Sequence, residues 1–293
     1  MLVEGTVLLR LGPRTFAAGR HLVMAIINRT PDSFFDQGAT FAYEAALAAV
    51  DRAVADGADL VDIGGVKAGH GEPVSPAEEL ARTADLVAGV RERHPDLVIS
   101  VDTYRAEVAA ELVGRGADLI NDTWSGADPE LVAVAAETGA GLVCSHTGGL
   151  PPRTDPHRVG YGDVVADVRD TVTRLAEEAV AKGVRPDGIL IDPTHDFGKN
   201  TRHSLELTRR LPELVATGWP VLVAVSRKDF VGETLDLPPG ERFEGTLATL
   251  AVSAWLGARV FRVHDVRAAR RALDMVAAIQ GTRPPAASRR GLA

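Results

Sequence analysis

One cysteine in 293 residues, Cys144, excludes an intramolecular disulfide and a thiolate-rich metal site, and it agrees with a reducing compartment. No apolar stretch approaches the ~18 residues that a membrane-spanning helix needs, so no membrane partner is expected. The first twenty residues carry neither a charged lead nor a long apolar core, so a signal peptide is not expected and a cytoplasmic protein is. Positive charge is in deficit: 32 Lys and Arg stand against 40 Asp and Glu, a net charge of −8. Nucleic acid is therefore not an expected partner, although a local basic pocket for a small anion stays open. What remains, 45% hydrophobic and 25% charged residues, is ordinary for a globular chain long enough to bury a large core.

What the chain does have is a series of short apolar runs, each ending in a polar residue. Val23-Met24-Ala25-Ile26-Ile27 runs into Asn28, Leu60-Val61 into Asp62, and Val98-Ile99-Ser100-Val101 into Asp102. Leu119-Ile120 reaches Asn121, Leu142-Val143-Cys144-Ser145 reaches His146, and Ile189-Leu190-Ile191 reaches Asp192. The run 221–225 reaches Ser226 and Lys228, and Val260-Phe261-Arg262-Val263 reaches His264. Continuous apolar runs are strands covered on both faces, and helical periodicity between them gives a βα alternation. About eight such units predict an α/β fold, a (β/α)8 TIM barrel, in which catalytic groups gather at the C-terminal ends of the strands.

Helices are expected over about 43–56, 76–93, 105–115, 129–138, 164–182, 202–217, 243–256 and 266–279. Ser75, Pro76 and Glu78 outline a capping box, Asp128 is expected as a cap, and Pro212 is expected to break or kink the sixth helix. Residues 1–20 read as a β-hairpin turning at Gly12-Pro13, either a plug for the barrel or an extension. Residues 21–280 read as one barrel domain and 281–293 as a mobile tail.

The motifs Asn28-Arg29-Thr30-Pro31-Asp32-Ser33-Phe34, Asp62-Ile63-Gly64-Gly65, Ser100-Val101-Asp102-Thr103 and Ile120-Asn121-Asp122 carry a resemblance. Asp192-Pro193 with Phe197-Gly198-Lys199-Asn200, Ser226-Arg227-Lys228 and 262–266 extend it. From about residue 21 to 280 the chain resembles the dihydropteroate synthase family, and most of all a divergent second synthase-like copy. The resemblance implies condensation of a dihydropterin pyrophosphate with p-aminobenzoate, releasing pyrophosphate, in a homodimer that uses Mg²⁺. Asp102, Asn121 and Asp192 would read the donor and acceptor edge of the pterin, and Lys228 would donate to its carbonyl and N5. Arg262 and His264, two apart on a strand and so on one side, would hold the pyrophosphate with Lys228. Asn28 would ligate Mg²⁺ and Phe197 would stack on the aminobenzoate ring. Each has a plainer alternative: helix capping for the acids and amide, a salt bridge for Arg262, core packing for Phe197. For Cys144 and His146 the sequence offers no third orienting group, and Cys144 reads as a packed strand residue rather than half of a nucleophile pair.

The chain departs from the family at two places. After Asp62-Ile63-Gly64-Gly65 it reads Val66-Lys67-Ala68-Gly69-His70-Gly71, with Ala68 and Gly69 in place of a threonine and an arginine. A lost charge-assisted contact to pyrophosphate is worth ~1.5–3 kcal/mol; Lys67 and His70 are the candidates to substitute, although a lysine cannot reproduce a guanidinium fork. Before Phe-Gly-Lys, Thr194-His195-Asp196 replaces a glycine-rich turn, which predicts three side chains crowding the site. Two readings follow: a synthase, or a pterin-binding paralogue with little or no turnover. A pterin-handling methyltransferase barrel is disfavoured by the Ser-Arg-Lys and Arg-x-His set.

Overall fold

The computed structural model describes residues 8–30, 42–67, 69, 71–154 and 160–290. A two-stranded antiparallel hairpin, β1 (Leu9–Leu11) and β2 (Arg14–Phe16), precedes eight parallel strands. These are β3 (Leu22–Asn28), β4 (Leu60–Gly64), β5 (Val98–Asp102), β6 (Leu119–Asp122), β7 (Gly141–Ser145), β8 (Ile189–Asp192), β9 (Leu222–Val223) and β10 (Val260–Val263). They lie side by side in the order β8-β7-β6-β5-β4-β3-β10-β9. A parallel bridge between Ile191 and Val221 joins the two ends, with the Ile191 amide donating to the Pro220 carbonyl at 3.0 Å. The expected barrel is what forms.

Alternation along each strand builds two apolar layers. One set of positions, among them Val23, Val61, Ile99, Ile120 and Phe261, packs outward against the helices. The other set, Leu22, Met24, Leu60, Val98, Leu119, Val143, Leu190, Leu222 and Val260, fills the barrel interior. Leu9, Leu11 and Phe16 of the hairpin join that inner cluster, so the hairpin is a plug and not an extension. Arg259 fixes it by donating to the carbonyls of Phe16 and Ala17 at 2.8 and 2.9 Å.

The helices are α1 (Tyr43–Ala55), α2 (Pro76–Arg93), α3 (Ala106–Gly114), α4 (Leu131–Thr138), α5 (Val164–Ala181), α6 (Thr201–Arg209), α7 (Pro212–Val215), α8 (Asp229–Leu235), α9 (Phe243–Trp255) and α10 (Val266–Ile279). At the start of α2 the Ser75 hydroxyl accepts from the Glu78 amide at 3.2 Å, which is the N-cap half of the expected box; the Glu78 carboxylate pairs with Arg82. Pro212 breaks the sixth helix into α6 and α7, since it lacks the amide that would continue the ladder. Helix α4 starts at Leu131, so Asp128 is not its cap residue; one Asp128 oxygen accepts from the Glu130 amide at 3.1 Å in the turn leading into α4, and the other from the Ala106 amide at 2.8 Å at the first turn of α3. Helix α8 was not expected, and the seventh strand is regular over two residues rather than five. Both differences lie where backbone turns toward the barrel mouth. The expected tail begins with Thr282 and Arg283 bonding the Ala277 carbonyl, and Arg283 pairs with Asp274 at 2.6 Å. Residues 291–293 of it, and Pro31, Asp32, Ser33 and Phe34 of the first motif, lie outside the described residues.

Candidate functional site

Above the inner apolar layer the same inward positions turn polar, each two residues further along its strand. Leu60 is followed by Asp62, Val98 by Ser100 and Asp102, Leu119 by Asn121, Leu190 by Asp192, and Val260 by Arg262 and His264. Asp62 is wholly buried and accepts from three neighbours: Arg262 Nε at 2.5 Å, Ser100 Oγ at 2.6 Å and Asn121 Nδ2 at 3.1 Å. A second donor of Arg262, Nη2, reaches Asp102 at 2.8 Å, and Thr123 Oγ1 donates to the other Asp102 oxygen at 3.1 Å. One guanidinium therefore ties two carboxylates, which is how buried charge is tolerated in a barrel interior. Burial pushes the Asp102 carboxyl up to about 7, against the pull of Arg262 and with further upward push from Asp62.

A cavity of about 280 Å³ opens over this floor at the C-terminal ends of the strands. Asn28, Asp102, Phe197, Lys228, Arg262 and His264 line it together, so six of the eight expected site residues converge. Asn121 and Asp192 do not line it; both are buried deeper in the barrel, Asn121 against Asp62 and Asp192 against the Thr194 amide at 2.7 Å. Lys228 donates to the His195 carbonyl and sits 4.9 Å from the centre of the Phe197 ring. Burial lowers its pKa, opposed by the carboxylates of Asp196 and Asp192. Phe197 meets Trp124 edge to face at 5.5 Å, so it serves both as packing and as cavity wall. His264 Nδ1 lies 3.1 Å from the Ser226 hydroxyl. Among the described residues no group of three or more His, Cys, Asp or Glu could hold a metal ion, while Asn28, an amide side chain with a hard oxygen, lines the cavity.

The crowding expected from Thr194-His195-Asp196 is corrected by the side-chain directions. Thr194 turns inward, its hydroxyl accepting from the His146 amide at 3.2 Å. His195 is fully buried, stacked on Phe230 at 5.5 Å with Nε2 on the Thr208 hydroxyl at 3.1 Å. Asp196 alone of the three reaches the cavity wall. Its oxygens are engaged by Ser204 Oγ at 3.1 Å and the Phe230 amide at 3.3 Å. Sequence reasoning missed Asp62, Thr123 and Asp196 as parts of the site. The inward parity of Asp62, two after Leu60, was the available signal.

Other motif residues prove structural. Lys199 is buried and donates to the carbonyls of His146, Thr194 and Phe197 at 2.9, 3.2 and 2.8 Å. Gly198 must be glycine: its φ is +63° and an added Cβ would lie 2.2 Å from the Thr147 carbonyl oxygen. Cys144 is packed in the outer core as expected, and burial pushes its thiol up to about 12. His146 pairs through Nε2 with Asp167 at 2.8 Å.

The altered loop after β4 is held at its backbone. Arg82 donates to the Gly65 carbonyl at 2.8 Å, Arg105 to that of Val74 at 2.7 Å, and Arg153 to those of Gly69 and Glu72 at 3.4 and 2.7 Å. Val66, Lys67 and Gly69 line the cavity, and a Cβ at Gly69 would meet nothing among the described residues within 4 Å. Ala68 and His70 lie outside the described residues.

Comparison with known proteins matches residues 24–264 to the family described as pterin binding enzyme. A relative named inactive dihydropteroate synthase 2, from Mycobacterium leprae, is 61% identical over 284 residues, covering 96% of this chain and 98% of its own. A dihydropteroate synthase from Synechocystis is 41% identical, covering 91% of each chain. The solved structure of a Xanthomonas albilineans dihydropteroate synthase with 4-aminobenzoic acid superposes with a TM-score of 0.85 at 35% identity, over 94% of this chain and 98% of that one.

Proposed function

This chain belongs to the pterin-binding enzyme family, with the fold of the dihydropteroate synthases, and from that premise we propose that it binds a dihydropterin ring over the Asp102–Arg262–Asp62 floor and retains a weak synthase-type transfer. The transfer joins the p-aminobenzoate amine to the pterin methylene as pyrophosphate leaves. The observation that carries the reading is the polar floor itself. Asp102 lines the cavity as an acceptor, and Asn121 Oδ1, buried beneath it and accepting no hydrogen bond among the described residues, would be a second for a ring edge rich in donors that reaches down to it. Lys228 and the His264 imidazole face the same cavity, where a positive charge and hydrogen-bond donors favour a departing pyrophosphate. Phe197 forms a wall on the acceptor side.

Mg²⁺ belongs to this proposal. Asn28 would supply one oxygen beside the leaving group, which suits an ion that keeps several waters and takes substrate phosphates as ligands. When bound, the ion would neutralise charge developing on pyrophosphate. A homodimer belongs to it too, since Val252 and Trp255 of α9 and Met275 and Ile279 of the adjoining α10 are each about half exposed. Among the described residues no helix is long and apolar enough to cross a membrane. We take the setting to be cytoplasmic.

The second reading, a paralogue that binds without turning over, is favoured by Gly69. It stands where the family carries a guanidinium, and the Mycobacterium leprae relative is named inactive. One experiment separates the two. Calorimetry with dihydropterin pyrophosphate and Mg²⁺ measures binding, and p-aminobenzoate turnover on the same sample measures transfer. Binding with slow turnover, well below ~1 s⁻¹, is expected. Failure to bind either the pyrophosphate or the bare pterin overturns the proposal.

A further inference from the structure

Asp62 does not line the cavity, yet it touches two of the groups that define the floor. A carboxylate can only accept hydrogen bonds, whereas an asparagine amide has a donor end and an acceptor end of nearly equal shape. Facing Asp62, Asn121 must turn its NH₂ toward the carboxylate, at 3.1 Å. Its oxygen is thereby aimed away, and that oxygen is buried with no hydrogen bond among the described residues. The same Asp62 oxygen takes Arg262 Nε at 2.5 Å, while Ser100 Oγ holds the other oxygen at 2.6 Å. A buried acceptor without a donor is costly, and a ligand donor removes the cost.

We propose that Asp62 is a positioning residue whose carboxylate fixes the polarity of the Asn121 amide, so that the floor presents an acceptor and selects a ring edge bearing donors. Asp62 acts through Asn121 and Arg262 and does not touch the ligand. The assignment rests on the pterin reading for its choice of ligand, while its geometry stands apart from that reading.

The test compares pterin with lumazine, in which an acceptor oxygen replaces the donor amino group on the same ring. The intact protein is expected to prefer pterin. In Asp62→Ala the Asn121 amide is free to turn, and the preference is expected to fall about tenfold, the ratio set by one hydrogen bond. Asp62→Asn keeps most of it, because its oxygen can face Arg262 and Asn121 while its NH₂ donates to the Ser100 hydroxyl. A merely structural Asp62 would weaken both ligands alike and leave the ratio unchanged, which would overturn the proposal. Should Asp62→Ala fail to fold, Asp62→Leu, close to aspartate in length and without an acceptor, carries the same test: the ratio falls there and holds in Asp62→Asn, whose oxygen Arg262 keeps turned toward Asn121.

A ligand-free arm separates this inference from the pterin reading. The Asn121 side-chain amide protons, assigned by their loss in Asn121→Asp, are expected to exchange with solvent several-fold more slowly in the intact protein than in Asp62→Ala, where their acceptor is gone. That difference with no binding of either ring would support the positioning and sink the pterin reading. Equal exchange in the two proteins would sink the positioning.

Discussion

Replacing Arg262 by methionine keeps an unbranched apolar stem and removes the guanidinium that ties Asp62 to Asp102. Asp62, wholly buried, would keep Ser100 and Asn121 as donors, and Asp102 would keep Thr123. Removing one partner of a buried pair costs about 3–5 kcal/mol, because a charge is left behind. The cost has a predictable pH dependence. The Asp102 pKa is raised in the folded protein to about 7, chiefly by burial, above the value of an unfolded aspartate. Such a group lowers stability as pH rises from the unfolded value toward the folded one. Without Arg262 the folded value climbs further, so stability keeps falling above pH 7 in the variant after it has levelled in the parent. Over one pH unit a single proton accounts for at most about 1.4 kcal/mol. Urea unfolding at pH 6 and pH 8 should therefore show a penalty larger at pH 8 by about 1 kcal/mol. A penalty equal at both pH values, or larger at pH 6, would refute the account of Asp102 and Arg262 as a coupled pair.

Asp192→Asn turns an acceptor into a group with its own donors, and a loss of ~2–4 kcal/mol in pterin affinity is expected by titration, from one mispaired buried polar group; unchanged affinity removes Asp192 from the site. Phe16→Ala empties part of the inner core beneath the site and should cost ~3–5 kcal/mol in denaturant unfolding, whereas a cost below ~1 kcal/mol would mean that the hairpin is not a plug. Restoring Ala68→Thr with Gly69→Arg should raise p-aminobenzoate turnover more than it tightens binding, since contacts made mainly in the transition state appear in the rate. A Cβ at Gly69 meets no described residue, and a turnover unchanged by the pair would clear the loop of responsibility.

The barrel was legible because its strands are continuous apolar runs with capped helices between them. Helix α2 was bounded correctly by Ser75 and Pro76, whose effects are local. Helix α8 was not legible: its seven residues, starting right after Lys228, have too few turns to show a period. In the site, residue types at strand ends pointed to Asp102, Lys228, Arg262 and His264. What they could not convey was partnership across strands. Asp62 and Arg262 are 200 positions apart, and their contact follows from barrel closure and not from any local pattern. The same applies to Thr194 and His195, whose identity suggested obstruction until their directions placed them in the interior.

The seam of the barrel has a consequence for how the chain is made. Strand β10 pairs with β3, Val260 opposite Leu22, and Arg270 of α10 donates to the His21 carbonyl at 3.1 Å. Arg259 holds the hairpin and Arg262 completes the floor, so both ends of the molecule depend on residues translated near the finish. At the usual ~5–20 residues per second, the first strand waits many seconds for its neighbour. During that interval its edge and the inner face of the hairpin have no final partner, which is the state most open to misassociation. The cavity cannot take its final form on a nascent chain; it becomes competent for a ligand only after synthesis has passed Arg262.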